Sequence, residues 1–116
     1  MFPAVDLFVV CHNSHRHLSR LFDGLRTLSI PVTTYFLDND SRDGTADFLA
    51  EHRAKLPFPS YVLRSSKNHG FAAGVNLLAR QSSGEFMFLL NPDAVLEPFC
   101  LERLLERMQA DSAIGM

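Results

Sequence analysis

The run Leu89-Leu90-Asn91-Pro92-Asp93-Ala94 places a carboxylate two residues from an amide oxygen, directly after an apolar stretch. Residues 86–90 read as a buried strand. In open α/β sheets, ligands bind at the carboxyl ends of strands. Two such oxygens suit a hard divalent cation, Mg²⁺ or Mn²⁺, of the kind that keeps several waters and is shared with substrate phosphates. The competing reading is a plain turn, because Asn, Pro and Asp all favour turns.

A second polar constellation runs from Asp38 through Asn39, Asp40, Ser41, Arg42, Asp43 and Gly44 to Thr45. A calcium loop needs glycine at its sixth position and glutamate at its twelfth. Counted from Asp38, glycine comes seventh and Leu49 stands twelfth, so the loop fails. A strand exit followed by a helix cap accounts for Asp43, Thr45 and Asp47, with Ser41 or Asp43 as the cap. It does not account for Asp38 and Asn39, which end an apolar strand. A carboxylate and an amide there can read the edge of a nucleobase or a ribose hydroxyl.

Gly70-Phe71-Ala72-Ala73-Gly74-Val75-Asn76 joins a turn to a helix. Glycines let backbone approach a ligand, and a helix start favours anions; small residues packing on a sheet is the competing reading. Neither a dinucleotide fingerprint nor a phosphate loop ending in Lys-Ser or Lys-Thr is present. His12, His15 and His17 crowd one segment, but His15 and His17 lie two apart on an expected helix and share no face. Zinc is therefore not expected there. His12 differs in lying in the first strand-to-helix turn.

The elements that must position these groups follow from periodicity. Residues 5–11 read as a central strand. Residues 14–28 carry Leu18, Leu21, Phe22, Leu25 and Leu28, an amphipathic helical stripe. Ile30-Pro31 ends it. Residues 32–37 read as a strand and 45–54 as a helix; Pro57 and Pro59 break the chain. Residues 61–63 form a short strand, 64–69 a loop, and 72–80 a helix. After the strand at 86–90, Pro98 opens a last helix with Leu101, Leu104, Leu105 and Met108 as core packing. Alternating strands and helices call for a three-layer α/β/α domain with a mostly parallel sheet. Right-handed crossovers then bring all four strand-to-helix turns to one edge.

Composition sets the bounds. The chain has 116 residues, 47% hydrophobic and 21% charged, as in an ordinary globular domain. A net charge of −2 gives no reason to expect nucleic acid. No apolar run approaches the roughly 20 residues of a membrane span, and no basic region precedes a hydrophobic stretch at the N-terminus. A cytoplasmic chain is expected, with any peripheral membrane association left to parts outside these residues. Cys11 and Cys100 read as two buried free thiols.

Taken together, these segments resemble the N-terminal part of a family 2 glycosyltransferase of GT-A fold, in its rhamnosyltransferase-like branch. That family reads strand-Thr-Tyr-Asn, then strand-Asp-Asn-x-Ser-x-Asp-Gly-Thr, then Asn-x-Gly-Phe-small-small-Gly-x-Asn, then Leu-Asn-Pro-Asp. The matching segments here are Cys11-His12-Asn13, 38–45, 68–76 and 90–93. The resemblance spans nearly the whole chain, as a single nucleotide-sugar-binding domain over 1–116.

The resemblance implies transfer of a sugar from a UDP- or dTDP-linked donor to a hydroxyl of a glycan or lipid-linked acceptor. Cys11, His12, Asn13, Asp38 and Asn39 would hold base and ribose; Asn68, Gly70 and Asn76 would line the donor pocket. Asn91 and Asp93 would take the first and last places of the family's Asp-x-Asp motif and bind the metal. Where the family has Thr-Tyr, this chain has Cys11-His12, so base stacking would fall to the His12 imidazole. Family members continue well past this length, and the acceptor site and general base belong to that later part. No residue here takes the base role; Glu97, Glu102, Glu106 and Asp111 read as solvated charges. The chain alone is expected to bind donor without transferring sugar. A non-catalytic nucleotide-sugar-binding module is the alternative. A nucleotidyltransferase is disfavoured, because that class needs a glycine-rich, arginine-containing loop after the first strand.

Overall fold

The structure is a computed structural model, and it describes residues 4–97 and 99–111. Strand β1 (Val5–Cys11) leads to helix α1 (His15–Leu25), β2 (Thr33–Asn39) and α2 (Thr45–His52). A single 3₁₀ turn (Arg53–Lys55) precedes β3 (Ser60–Ser65); α3 (Phe71–Ala79), β4 (Phe86–Leu89) and α4 (Cys100–Ala110) complete the order. The sheet order is β3-β2-β1-β4, and every pairing is parallel. The expected three-layer parallel architecture holds.

Alternation along β1 sends Val5, Leu7, Val9 and Cys11 to one face, where they join Leu18, Leu21, Phe22 and Leu25 of α1, Leu49 of α2, and Leu101 and Leu105 of α4. Phe22 stacks on Phe36 at 5.2 Å between ring centroids. The other face carries Phe8, Tyr35 and Leu37 against Leu78 of α3. Gly74 lets α3 sit close: a Cβ there would lie 3.0 Å from both Leu37 Cδ2 and Val10 Cγ1. Below α3, one cross-strand row runs Phe8–Tyr35–Tyr61. Tyr35 meets Phe8 edge-on at 5.7 Å and stacks on Tyr61 at 5.4 Å.

Several expectations change. The segment 86–90 is not a buried strand: β4 is at the sheet edge with Met87 and Leu89 over two-fifths exposed. Among the described residues only α3 packs on the face that carries them, and alternate residues of β4 stay bare. Leu104 is also exposed, although Leu101 and Leu105 are core. Cys100 is exposed and only Cys11 is a buried thiol; both are free. Helix α1 stops at Leu25, where 3₁₀-type bonds from Thr27 N–H to Gly24 and from Leu28 N–H to Leu25 tighten the exit. Strand β2 runs on to include Asp38 and Asn39, and β3 extends past Leu63 through Arg64 to Ser65. Glu102 is not simply solvated, since its Oε1 is buried without a hydrogen-bond partner among the described residues. The role expected for Pro98 falls outside the described residues.

Candidate nucleotide site

Parallel register decides which side chains meet at the carboxyl edge. Cys11, Asp38 and Arg64 are paired neighbours across β1, β2 and β3, so their side chains share a face. Asn39 and Ser65 form the next pair and point to the opposite face, under the start of α3.

Asp38 is fully buried. Its Oδ1 accepts the Ser41 N–H at 3.2 Å, and its Oδ2 has no hydrogen-bond partner among the described residues. Arg64 Nε stands 3.7 Å from that oxygen, close enough for charge attraction but beyond hydrogen-bond length. Asp38, Asp40, Ser41, Arg64, Ser65 and Ser66 line one open cavity of about 440 Å³. A buried carboxylate oxygen left unpaired is costly, which marks Asp38 Oδ2, in the wall of this cavity, as an acceptor for a hydrogen-bond donor.

Beside it, the first turn is stapled to the second. Asn13 N–H donates to Ser41 Oγ at 2.8 Å, and Arg42 N–H donates to Asn13 Oδ1 at 2.8 Å. Ser14 N–H donates to Thr45 Oγ1 at 2.9 Å. Asp43 serves the starts of two helices at once: Oδ2 accepts the His15 N–H, and Oδ1 accepts the N–H and hydroxyl of Thr45. Partial burial pushes the Asp43 carboxyl up, but the Thr45 hydroxyl and the His15 and Thr45 amides outweigh it and hold it below its ordinary value.

Asn39 links the second turn to the third. Its Oδ1 accepts the His69 N–H at 3.0 Å and its Nδ2 donates to the Gly70 carbonyl at 3.2 Å. With 1% exposure and its amide engaged on both sides, it positions backbone rather than facing the cavity. Asn68 accepts the Gly70 N–H at 2.8 Å. Gly70 has φ +82° and open space around its Cβ position, so backbone conformation, not crowding, asks for glycine there. Asn76 is exposed on α3 and shares a shallow cavity with His69, Ala73, Leu77 and Arg80.

Cys11 is packed into the core, so only its backbone reaches the edge. Burial first, then Asp38 and Asp43, pushes its thiol up to about 12. His12 and Asn13 are exposed. The fourth turn follows β4, which pairs with β1 at the opposite end of the strand order from β3. Leu90 N–H donates to the Phe8 carbonyl at 2.9 Å, and Ala94 N–H closes a turn on Asn91 at 3.0 Å. Asn91 and Asp93 are exposed. Among the described residues no three His, Cys, Asp or Glu side chains gather into a metal cage. An exposed carboxylate beside an amide oxygen fits a hard cation that completes its shell with water and phosphate.

Sequence reasoning placed Arg64 in a loop and missed it. The signal available was a charged residue directly following the apolar Tyr61-Val62-Leu63. One further residue of strand brings it level with Asp38. The clasp formed by Asp43, Ser14 and Thr45 carries no signal of its own, because each residue reads locally as a cap.

The family model "Glycosyl transferase family 2" matches residues 6–116. A chondroitin synthase from Escherichia coli is 26% identical over 114 residues, covering 97% of this chain and 16% of that protein. The mannosyltransferase PcManGT from Pyrobaculum calidifontis, solved with GDP-Man and Mn²⁺, superposes with a TM-score of 0.86 at 21% identity, covering 99% of this chain and 34% of its own. S. aureus TarS 1-349 in complex with UDP superposes at 0.78 and 21% identity, covering 92% and 32%. The chain therefore spans between a sixth and about a third of the length of these proteins.

Proposed function

The chain belongs to glycosyl transferase family 2, and we propose that it supplies the donor half of a sugar transfer from a nucleotide-diphosphate sugar to a glycan or lipid-linked acceptor hydroxyl. The observation that carries this reading is the unpartnered Asp38 Oδ2, buried at the strand ends with Arg64 beside it. The carbohydrate product would be a cell-surface glycan made from the cytoplasmic side, and the spelling of the four motifs favours the rhamnosyltransferase-like branch.

The geometry also favours a base. Oδ1 of Asp38 is taken by Ser41, which leaves one free oxygen. Guanine offers two adjacent donors and would use both carboxylate oxygens. Uracil and thymine offer a single imide N–H flanked by carbonyls. Arg64, free to swing at 71% side-chain exposure, would donate to one of those carbonyls. The donor is accordingly read as UDP- or dTDP-linked. Relatives solved with UDP or with GDP-Man and Mn²⁺ support nucleotide and metal use in general.

The start of α3 at Gly70 would face the diphosphate, where helix N–H groups favour anions, with Asn68 shaping that turn and Asn76 on the helix beyond. Asp93 and Asn91 would hold Mg²⁺ or Mn²⁺. A metal held there would supply Lewis-acid stabilisation of the departing diphosphate. His12 and Asn13 would border the nucleoside, with Asn39 fixing the backbone around it.

Calorimetry with UDP and dTDP, with Mn²⁺ and with chelator, tests the reading. Metal-dependent binding that is lost in Asp93→Ala is expected. Equal affinity with and without metal removes the role of Asp93, and failure to bind either nucleotide removes the donor site. A non-catalytic nucleotide-sugar-binding module would bind identically and show no turnover with any acceptor.

A further inference from the structure

The aromatic row of the lower sheet ends in the wall of a second cavity. Tyr35, Tyr61, Leu63, Leu78 and Gln81 line a space of about 330 Å³ between the sheet and the end of α3. Tyr61 belongs to the edge strand β3. One face of its ring stacks on Tyr35 at 5.4 Å. No other ring among the described residues meets it, and the residue is 55% exposed, so its other face turns off the sheet toward solvent. Gln81, just past the end of α3, is also exposed. Neither phenol hydroxyl nor the Gln81 carboxamide makes a hydrogen bond among the described residues. Burial first, then Asp6 and Tyr61, pushes the Tyr35 hydroxyl above its ordinary value, which keeps it a protonated donor.

This cavity is separate from the nucleotide edge. Tyr35 and Tyr61 stand three residues before Asp38 and Arg64 in their strands, roughly 10 Å back at strand rise. Leu78 lies at the opposite end of α3 from Gly70.

The chemistry of the lining selects a ligand. Among the described residues it contains no charged side chain. A phosphate or a charged peptide would meet tyrosine and leucine there without a counter-charge. An acyl chain would leave a carboxamide and two hydroxyls unspent. A neutral sugar ring matches both kinds of wall. The C–H groups of one of its faces suit the open tyrosine ring, and its hydroxyls donate to and accept from the phenols and the Gln81 amide. The volume falls at the small end of ligand pockets, roughly 300–1,000 Å³, in keeping with a short saccharide.

We propose that this cavity is a saccharide site, which holds a neutral sugar ring of a glycan with its C–H face on Tyr61 and its hydroxyls on Gln81 and Tyr35. It rests on the glycosyltransferase reading for the source of the sugar alone. On that reading the domain grips a glycan at a distance from the hydroxyl being extended, and the chain can stay attached between transfers.

Amide NMR of the full chain with cellotriose, maltotriose and chitotriose, and with sorbitol as an acyclic polyol, tests it. At least one trisaccharide is expected to move the amides of Tyr35, of residues 61–63, and of Leu78 and Gln81 saturably, leaving those of Asp38 to Ser41 in place. Sorbitol is expected to move none. Gln81→Ala, at an exposed position, should weaken the binding about fivefold, the worth of a neutral hydrogen bond. Tyr61→Ala should abolish it, whereas Tyr61→Phe, which keeps the ring, should retain most of it. No saturable shift with any trisaccharide, an equal response to sorbitol, shifts that gather elsewhere, or wild-type affinity in either alanine variant overturns the proposal. Broadening of the same amides with protein concentration alone would give the face to a second copy and overturns it too. The titrations contain no nucleotide, so a failure here leaves the donor site standing, and a failure to bind UDP leaves this result readable.

Discussion

Arg64 stands level with Asp38 in the β3–β2 register, its Nε 3.7 Å from the Asp38 oxygen that makes no hydrogen bond among the described residues. The pair divides its work: Asp38 is buried and fixed, whereas Arg64 is exposed and free to follow a ligand. Asp38→Ala should cost about 1.5–3 kcal/mol of nucleotide binding, the size of a charge-assisted hydrogen bond. Arg64→Ala should weaken the same binding while leaving the melting temperature nearly unchanged, since the Arg64 side chain is 71% exposed and stands beyond hydrogen-bond length from Asp38. Calorimetry and thermal unfolding on both variants separate the two effects; a destabilised Asp38→Ala with unchanged affinity would assign Asp38 to local structure alone.

Asp43 gives the fold an acid limit. Its carboxyl is held below the ordinary 3.8, so its contribution is present above that value and disappears as pH falls through the lowered one. Asp43→Asn keeps one acceptor oxygen and loses the other, and should cost on the order of 1 kcal/mol, as for a lost cap. The stability gap between wild type and variant should hold from neutral pH down to about 4 and close only below it. Urea unfolding at stepped pH reads this directly.

The two cysteines should react differently. Cys11 is buried with its thiol pushed up to about 12, so the thiolate that reacts is scarce at any ordinary pH. Cys100 is exposed. Native alkylation at pH 8 should add one label, at Cys100, with the second appearing only in denaturant; intact mass and peptide mapping distinguish the sites.

Gly74 sets how closely α3 approaches the sheet. Alanine there gains roughly 1 kcal/mol of helix propensity but drives its Cβ to 3.0 Å from Leu37 and Val10, an overpacking worth about 1–3 kcal/mol. Gly74→Ala should be mildly destabilised and Gly74→Val strongly so. Because α3 begins at Gly70, whose carbonyl is held by Asn39, Gly74→Val should also weaken nucleotide binding at temperatures well below its melting point.

Much of this was legible in the sequence. Residues 5–11 announce a strand through an apolar run, and the Leu18, Leu21, Phe22, Leu25 stripe announces the face of α1. The convergence of turns follows from parallel topology alone. Less visible was where elements stop. Asp38 and Asn39 look like a loop by residue type, yet register with β1 and β3 holds them in the strand, and Arg64 is drawn in the same way. Partners across turns were not legible at all. Nothing in the spelling of Asn39 says that its amide is spent on His69 and Gly70, because that bond joins residues 30 and 31 positions apart. The exposure of Met87 and Leu89 was hidden for a similar reason: an apolar edge strand and an apolar central strand are spelled alike.

The aromatic row across the lower sheet has an optical consequence. The chain has no tryptophan and two tyrosines, and these two are stacked on each other. Ultraviolet fluorescence and most of the near-ultraviolet dichroism therefore come from one pair of rings in the middle of β2 and near the start of β3. That pair will report faithfully when the sheet comes apart. It is three residues of strand away from Asp38 and Arg64, roughly 10 Å at strand rise, and will stay silent when a nucleotide arrives at the other end.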